Sequence, residues 1–176
     1  NPFFPRGEDM SLISEIKKEP NLNRYRFVEF PIYSSIVALA YFLNGAVDEE
    51  LARLVSIIFS LGSVVIIYLI VKRYSSTFHA LLSSFIFATL PFIVFFSRTT
   101  LPEPSLVFFC LGMFYFVDRW IYENSRRLYF AGVLFTAAAF LTKPMAVFYL
   151  LPLIYSYIQK EGFRIFKMNW EKNKYN

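Results

Sequence analysis

Six apolar blocks separated by short charged connections constrain this chain more than any other feature. They run Phe30–Leu43, Leu51–Val71, His79–Phe96, Pro104–Val117, Leu128–Leu141 and Met145–Ile158. Continuous apolar runs of this kind are the mark of membrane-spanning helices. Spanning strands would alternate polar and apolar residues, and these runs do not. Composition agrees: 56% of the 176 residues are hydrophobic and only 18% are charged. Such a chain is neither disordered nor an ordinary soluble domain. One cysteine, Cys110, excludes a disulfide scaffold. One histidine, His79, with that cysteine excludes a His/Cys metal cage. Carboxylates remain able to hold a hard cation.

Charge placement assigns sides. Lys72 and Arg73 follow the second block, Arg119, Arg126 and Arg127 follow the fourth, and Lys160, Arg164, Lys167, Lys172 and Lys174 follow the sixth. These basic connections alternate with acidic or nearly neutral ones: Asp48, Glu49, Glu50 and Arg53, then Arg98 and Glu103, then Lys143. The positive-inside rule puts the basic set in the cytoplasm. The expected fold is therefore an all-α membrane bundle of about five spans, near residues 51–71, 79–96, 104–118, 128–142 and 145–159. The first block is short, opens on Pro31 and carries Tyr33, Ser34, Ser35 and Tyr41. It is expected to be an interfacial helix over residues 30–44. Residues 1–29 then form a polar external loop with a short helix over Met10–Lys18, and residues 160–176 a basic cytoplasmic tail.

Chemistry concentrates in the connections. In FFSRTTLPEPSLVFF, Arg98 and Glu103 lie between two apolar blocks, on the non-cytoplasmic side. Charges at a membrane boundary cost free energy and usually have partners. Pro102 and Pro104 hold Glu103 on a rigid corner at a helix start, where a carboxylate also meets the positive end of the helix dipole. Lys143, in FLTKPMAV, sits almost without a loop between the last two blocks. It either snorkels to the headgroups or binds a lipid phosphate. Glu29 opens the first block, and Glu8 and Asp9 form an acidic pair in the polar loop. Read alone, Glu103 and Glu29 are equally well explained as acids at helix starts, and Glu8 and Asp9 as solvated charges. There is no phosphate-binding glycine loop, nucleophile elbow or zinc motif, and no nucleic-acid signature.

Several of these residues share a pattern. Glu29-Phe30-Pro31 precedes an apolar run ending in Asn44-Gly45, and Ala52-Arg53-Leu54-Val55-Ser56 follows. Then come Tyr68 through Arg73, Ser97-Arg98 with Glu103 five residues on, and Leu141-Thr142-Lys143. Together they resemble the polyprenyl-phosphate-sugar-dependent glycosyltransferases of the GT-C membrane fold, over roughly Asn21 to Ile158. Protein O-mannosyltransferases and aminoarabinose transferases of lipid A belong to that group, with oligosaccharyltransferase catalytic subunits more distant. The resemblance implies a site at the non-cytoplasmic face and a dolichyl- or undecaprenyl-phosphate sugar donor. It implies transfer, with inversion, to a hydroxyl on a protein or glycan. Glu103 would be the family's second acidic motif, and Glu29 would lie near the donor or a divalent cation. Arg98 and Lys143 would hold the lipid phosphate. The family's first catalytic carboxylate would fall upstream of this chain unless Glu8 or Asp9 takes its place. A piece of a longer protein, inactive alone, is the expectation. A transporter or non-catalytic scaffold is the alternative.

Overall fold

The computed structural model describes residues 7–8, 25–26 and 32–161. The expected Met10–Lys18 helix, Glu29, Asp9 and most of the basic tail lie outside them. Gly7–Glu8 (β1) pairs antiparallel with Tyr25–Arg26 (β2). Everything else described is helical or a connection. The helices are α1 (Ile32–Asn44), α2 (Glu49–Tyr74), α3 (Thr77–Thr89), α4 (Pro91–Ser97), α5 (Glu103–Glu123), α6 (Arg126–Thr142) and α7 (Leu150–Glu161). A 3-10 segment, Pro144–Tyr149, leads into α7.

Local chemistry sets the ends. The Asp48 side chain accepts the Glu50 N–H at 2.9 Å and starts α2. Lys72 and Arg73 close it, where cations meet the negative end of the helix dipole. Asn124 takes the left-handed conformation (φ 50°) that ends α5 and turns the chain directly into α6.

The helices α2 and α5 are long and apolar enough to cross a bilayer, and α3 with α4 makes a third if the pair is one span. That pair corrects the expected continuous helix over 79–96: it is bent by 60°. Pro91 has no N–H to continue α3, and Leu90 before it is extended (φ −58°, ψ 128°). The last block is also interrupted. Pro144 opens the 3-10 segment, so α7 has only 12 residues. The helix α6, with 17, is at the lower limit for a span. The fourth block is longer than its apolar run. It continues through Asp118 and Arg119 to 21 residues, about 32 Å.

The helix α5 is the hub, packing against α2, α4, α6 and α7. Small residues let the backbones approach: a Cβ on Gly112 would overlap the Phe135 ring of α6, and one on Gly132 would press on Val117. Phe59, Phe108, Phe109, Phe116 and Phe135 then interlock across α2, α5 and α6, with centroids 5.0–6.0 Å apart. Leu61, Phe78, Phe85, Phe95, Phe130 and Leu134 are exposed on the outside. An apolar exterior around a packed core suits lipid as solvent.

One end of the bundle is held by a charge cluster. Asp118, 1% exposed, takes Arg73 Nε at 3.1 Å. It also accepts a hydrogen bond from Ser156 of α7. Arg73 reaches Glu123 at 3.0 Å, and Arg119 forks onto the same carboxylate with two 2.8 Å bonds. The Lys160 ammonium donates to the Ile121 carbonyl. The cluster thus joins α2, α5 and α7. Removing Arg73 leaves a buried carboxylate without its counter-charge, whereas Asp118→Asn keeps a polar group and leaves Arg73 with Glu123. Arg73→Met should therefore lower stability by about 3 kcal/mol or more, and Asp118→Asn by about half that. Thermal unfolding in detergent decides: equal or reversed losses would contradict this arrangement.

Candidate functional site

The opposite end of α5 carries the candidate site. Pro102 and Pro104 bracket Glu103 at the start of α5, and the Ser105 hydroxyl donates to the Pro102 carbonyl at 2.7 Å. Lys143 closes α6 with its backbone extended (φ −151°, ψ 135°) because Pro144 follows. This geometry brings two residues 40 apart in sequence together: Lys143 Nζ lies 2.7 Å from Glu103 Oε1. Both side chains are mostly buried, 20% and 26% exposed.

Glu103 is only partly satisfied. Its Oε2 is shut off from solvent and accepts no hydrogen bond among the described residues. A buried oxygen of this sort costs free energy unless something else meets it. Glu103 also lines a small cavity between α2, α3, α4 and α5, with Ser60, Ser63, Phe92 and Phe96. Its volume, about 10 Å³, is the size of one water.

Arg98 caps α4 five residues before Glu103. It is exposed and forms no salt bridge among the described residues, so the structure does not bring it into the Glu103–Lys143 pair. Glu29 and Asp9 lie outside the described residues, and so does any cation site built on Glu29. Among the described residues no three His, Cys, Asp or Glu side chains gather as a metal site.

A groove between α1 and α2 opens at this same end, lined by Tyr33, Ser34, Tyr41, Glu49 and Thr100 among others, with a volume of about 370 Å³. Beneath it α1 is bolted to α2. The buried Tyr33 hydroxyl lies 2.8 Å from Ser56 Oγ and 3.2 Å from the Ala52 carbonyl. Burial pushes the phenol above its ordinary value, so it remains a donor. Sequence reasoning singled out neither Tyr33 and Ser56 as partners nor Asp118 at the far end. A hydroxyl in an apolar helix gives little warning. An aspartate in one does, because intramembrane carboxylates need partners.

No curated protein and no solved structure gives a significant match to this chain. The sequence family described as dolichyl-phosphate-mannose-protein mannosyltransferase matches residues 29–172. That range includes Glu29, Arg98, Glu103 and Lys143 and covers every described helix. With a membrane-type helical bundle and a charged end built from two helix termini, the match settles the kinship: the chain belongs to the dolichyl-phosphate-mannose-protein mannosyltransferase family.

Proposed function

We propose that the Glu103–Lys143 end is the reacting end of a membrane glycosyltransferase. In this reading a sugar leaves a polyprenyl phosphate, dolichyl or undecaprenyl, for an acceptor hydroxyl on a protein or glycan. The observation that carries it is the ion pair between two helix ends, with one buried carboxylate oxygen that accepts no hydrogen bond among the described residues. A purely structural pair would be expected to satisfy both oxygens.

The chemistry asks for two kinds of group. As the bond from the anomeric carbon to the phosphate oxygen breaks, the phosphate takes the electron pair. Fixed cations stabilise that charge in a site poor in water. Lys143 is held at Glu103, and Arg98 is an exposed cation five residues before that carboxylate. The attacking hydroxyl releases a proton, and a carboxylate within hydrogen-bond reach accepts it or orients the acceptor. Glu103 Oε2, which accepts no hydrogen bond among the described residues, has the lone pairs for that contact. Glu29 and the acidic pair Glu8 and Asp9 complete the carboxylates assigned here to donor and acceptor, with a divalent cation at Glu29 as an open part of the proposal. The groove at Tyr33, Tyr41 and Thr100 offers room for the acceptor.

The proposal includes five crossings, formed by α2, α3 with α4, α5, α6, and the 3-10 segment with α7. It places Glu103 and Lys143 outside and the Arg73–Asp118 cluster inside. The pairings support it, since the basic connections converge at one end and Glu103 with Lys143 at the other. A transporter is less well supported, because its ionisable groups would gather near the midplane. A cysteine at Asn173 should react with a membrane-impermeant thiol reagent only after the membrane is opened. Labelling of intact cells would overturn the orientation.

Charge reversal separates catalysis from scaffolding. In the full-length protein, Glu103→Gln should cut transfer from dolichyl- or undecaprenyl-phosphate-mannose by about 100-fold or more. The double variant Glu103→Lys with Lys143→Glu restores an ion pair and should restore yield and melting temperature, but not transfer. Recovered transfer in the swapped protein would reduce the pair to a structural bolt.

A further inference from the structure

The loop between α4 and α5, residues 98–102, carries Arg98 at one end and meets Glu103 at the other. Its own hydrogen bonds are short-range: the Arg98 N–H to the Phe95 carbonyl, and the Thr99 N–H and hydroxyl to the Phe96 carbonyl. Among the described residues, a side-chain hydrogen bond ties it to a distant element. The Ser56 hydroxyl, fully buried on α2, donates to the Thr99 carbonyl at 2.8 Å across 43 residues. Ser56 has a single proton, and the Thr99 carbonyl at 2.8 Å is a closer acceptor for it than the Ala52 carbonyl at 3.5 Å. With that proton given to Thr99, the 2.8 Å contact with the Tyr33 hydroxyl is donated by the tyrosine, whose other acceptor, the Ala52 carbonyl, is farther away at 3.2 Å. The bonds run in one direction, from Tyr33 on α1 through Ser56 on α2 to the Thr99 carbonyl. Aligned hydroxyls polarise one another, so each bond strengthens the next.

We propose that Ser56, with Tyr33 behind it, is a positioning residue that fixes the loop bearing Arg98 and Glu103. It touches neither the ion pair nor the cavity; it acts through the Thr99 carbonyl, four residues before Glu103. The chain also links the interfacial helix to that loop, so seating α1 sets the position of Glu103. The inference rests on the reading of Glu103 as part of the reacting end. Displacements of about 1 Å at such a group cost about 100-fold in rate.

The test uses the full-length protein in detergent or nanodiscs, with polyprenyl-phosphate-mannose as donor. Ser56→Ala should lower kcat by about 10- to 100-fold while leaving the donor KM within about threefold, because Lys143, which lies outside that loop, still meets the phosphate. Ser56→Thr, which keeps the hydroxyl, should recover most of the loss. Amide exchange of peptides covering residues 98–106 should quicken by about tenfold in Ser56→Ala, with peptides around Asn124 unchanged. Wild-type kcat in Ser56→Ala beside an inactive Glu103→Gln would overturn the inference and spare the reading of the site. Quickened exchange beside a fully active Glu103→Gln would do the reverse: the tether would stand and the site reading fall. If Ser56→Ala does not accumulate, Tyr33→Phe decides on the same measures. Lowered kcat with faster loop exchange supports the tether, and wild-type values of both overturn it.

Discussion

The ion pair between Lys143 and Glu103 closes one end of the bundle, and the candidate chemistry depends on it. Its members come from two helix termini, each shaped by a neighbouring proline. Pro102 and Pro104 fix where α5 begins, and Pro144 fixes where α6 stops. Each charge alone would be costly at a membrane boundary. Together they neutralise one another, yet among the described residues nothing meets one buried carboxylate oxygen. That imbalance turns a packing detail into a candidate reacting group.

The two ends of α5 contrast. At Asp118 both carboxylate oxygens have partners, Ser156 on one and Arg73 on the other, and three helices are held together. At Glu103 one oxygen is held and the other has no partner among the described residues. A saturated network rigidifies; an unsaturated one retains capacity to bind. The same helix thus presents a fastening at one end and an opening at the other, about 22 Å apart along its axis.

Much of this was legible in the sequence, for reasons that can be named. Apolar runs fix where helices lie, so α1, α2 and α6 fall within a few residues of their expected bounds. Arginines and lysines in connections sort the ends. The residue patterns around Glu29, Arg98 and Lys143 pointed to the family that the match over residues 29–172 shows. What hydropathy missed is equally physical. A window average passes over Pro91, so the break between α3 and α4 was invisible to it. The expected fourth span stopped at Asp118, although Arg119 to Glu123 remain helical, their charges met by partners. Arg98 and Lys143 looked equivalent as phosphate ligands, yet only Lys143 reaches Glu103. Such distinctions depend on where a neighbour 40 residues away comes to rest.

The turn at Asn124 has a consequence for how the molecule assembles. Only residues 124 and 125 separate α5 from α6, and the entropy lost in closing so short a connection is small. These two helices can pair as a hairpin before either meets a more distant segment. The Ser56–Thr99 and Glu103–Lys143 contacts close spans of 43 and 40 residues, so they form against a larger loss of chain freedom. The α5–α6 hairpin thus forms at the smallest loss of chain freedom, and the Glu103–Lys143 end at a larger one. Damage at the Glu103–Lys143 end would therefore leave that hairpin able to form.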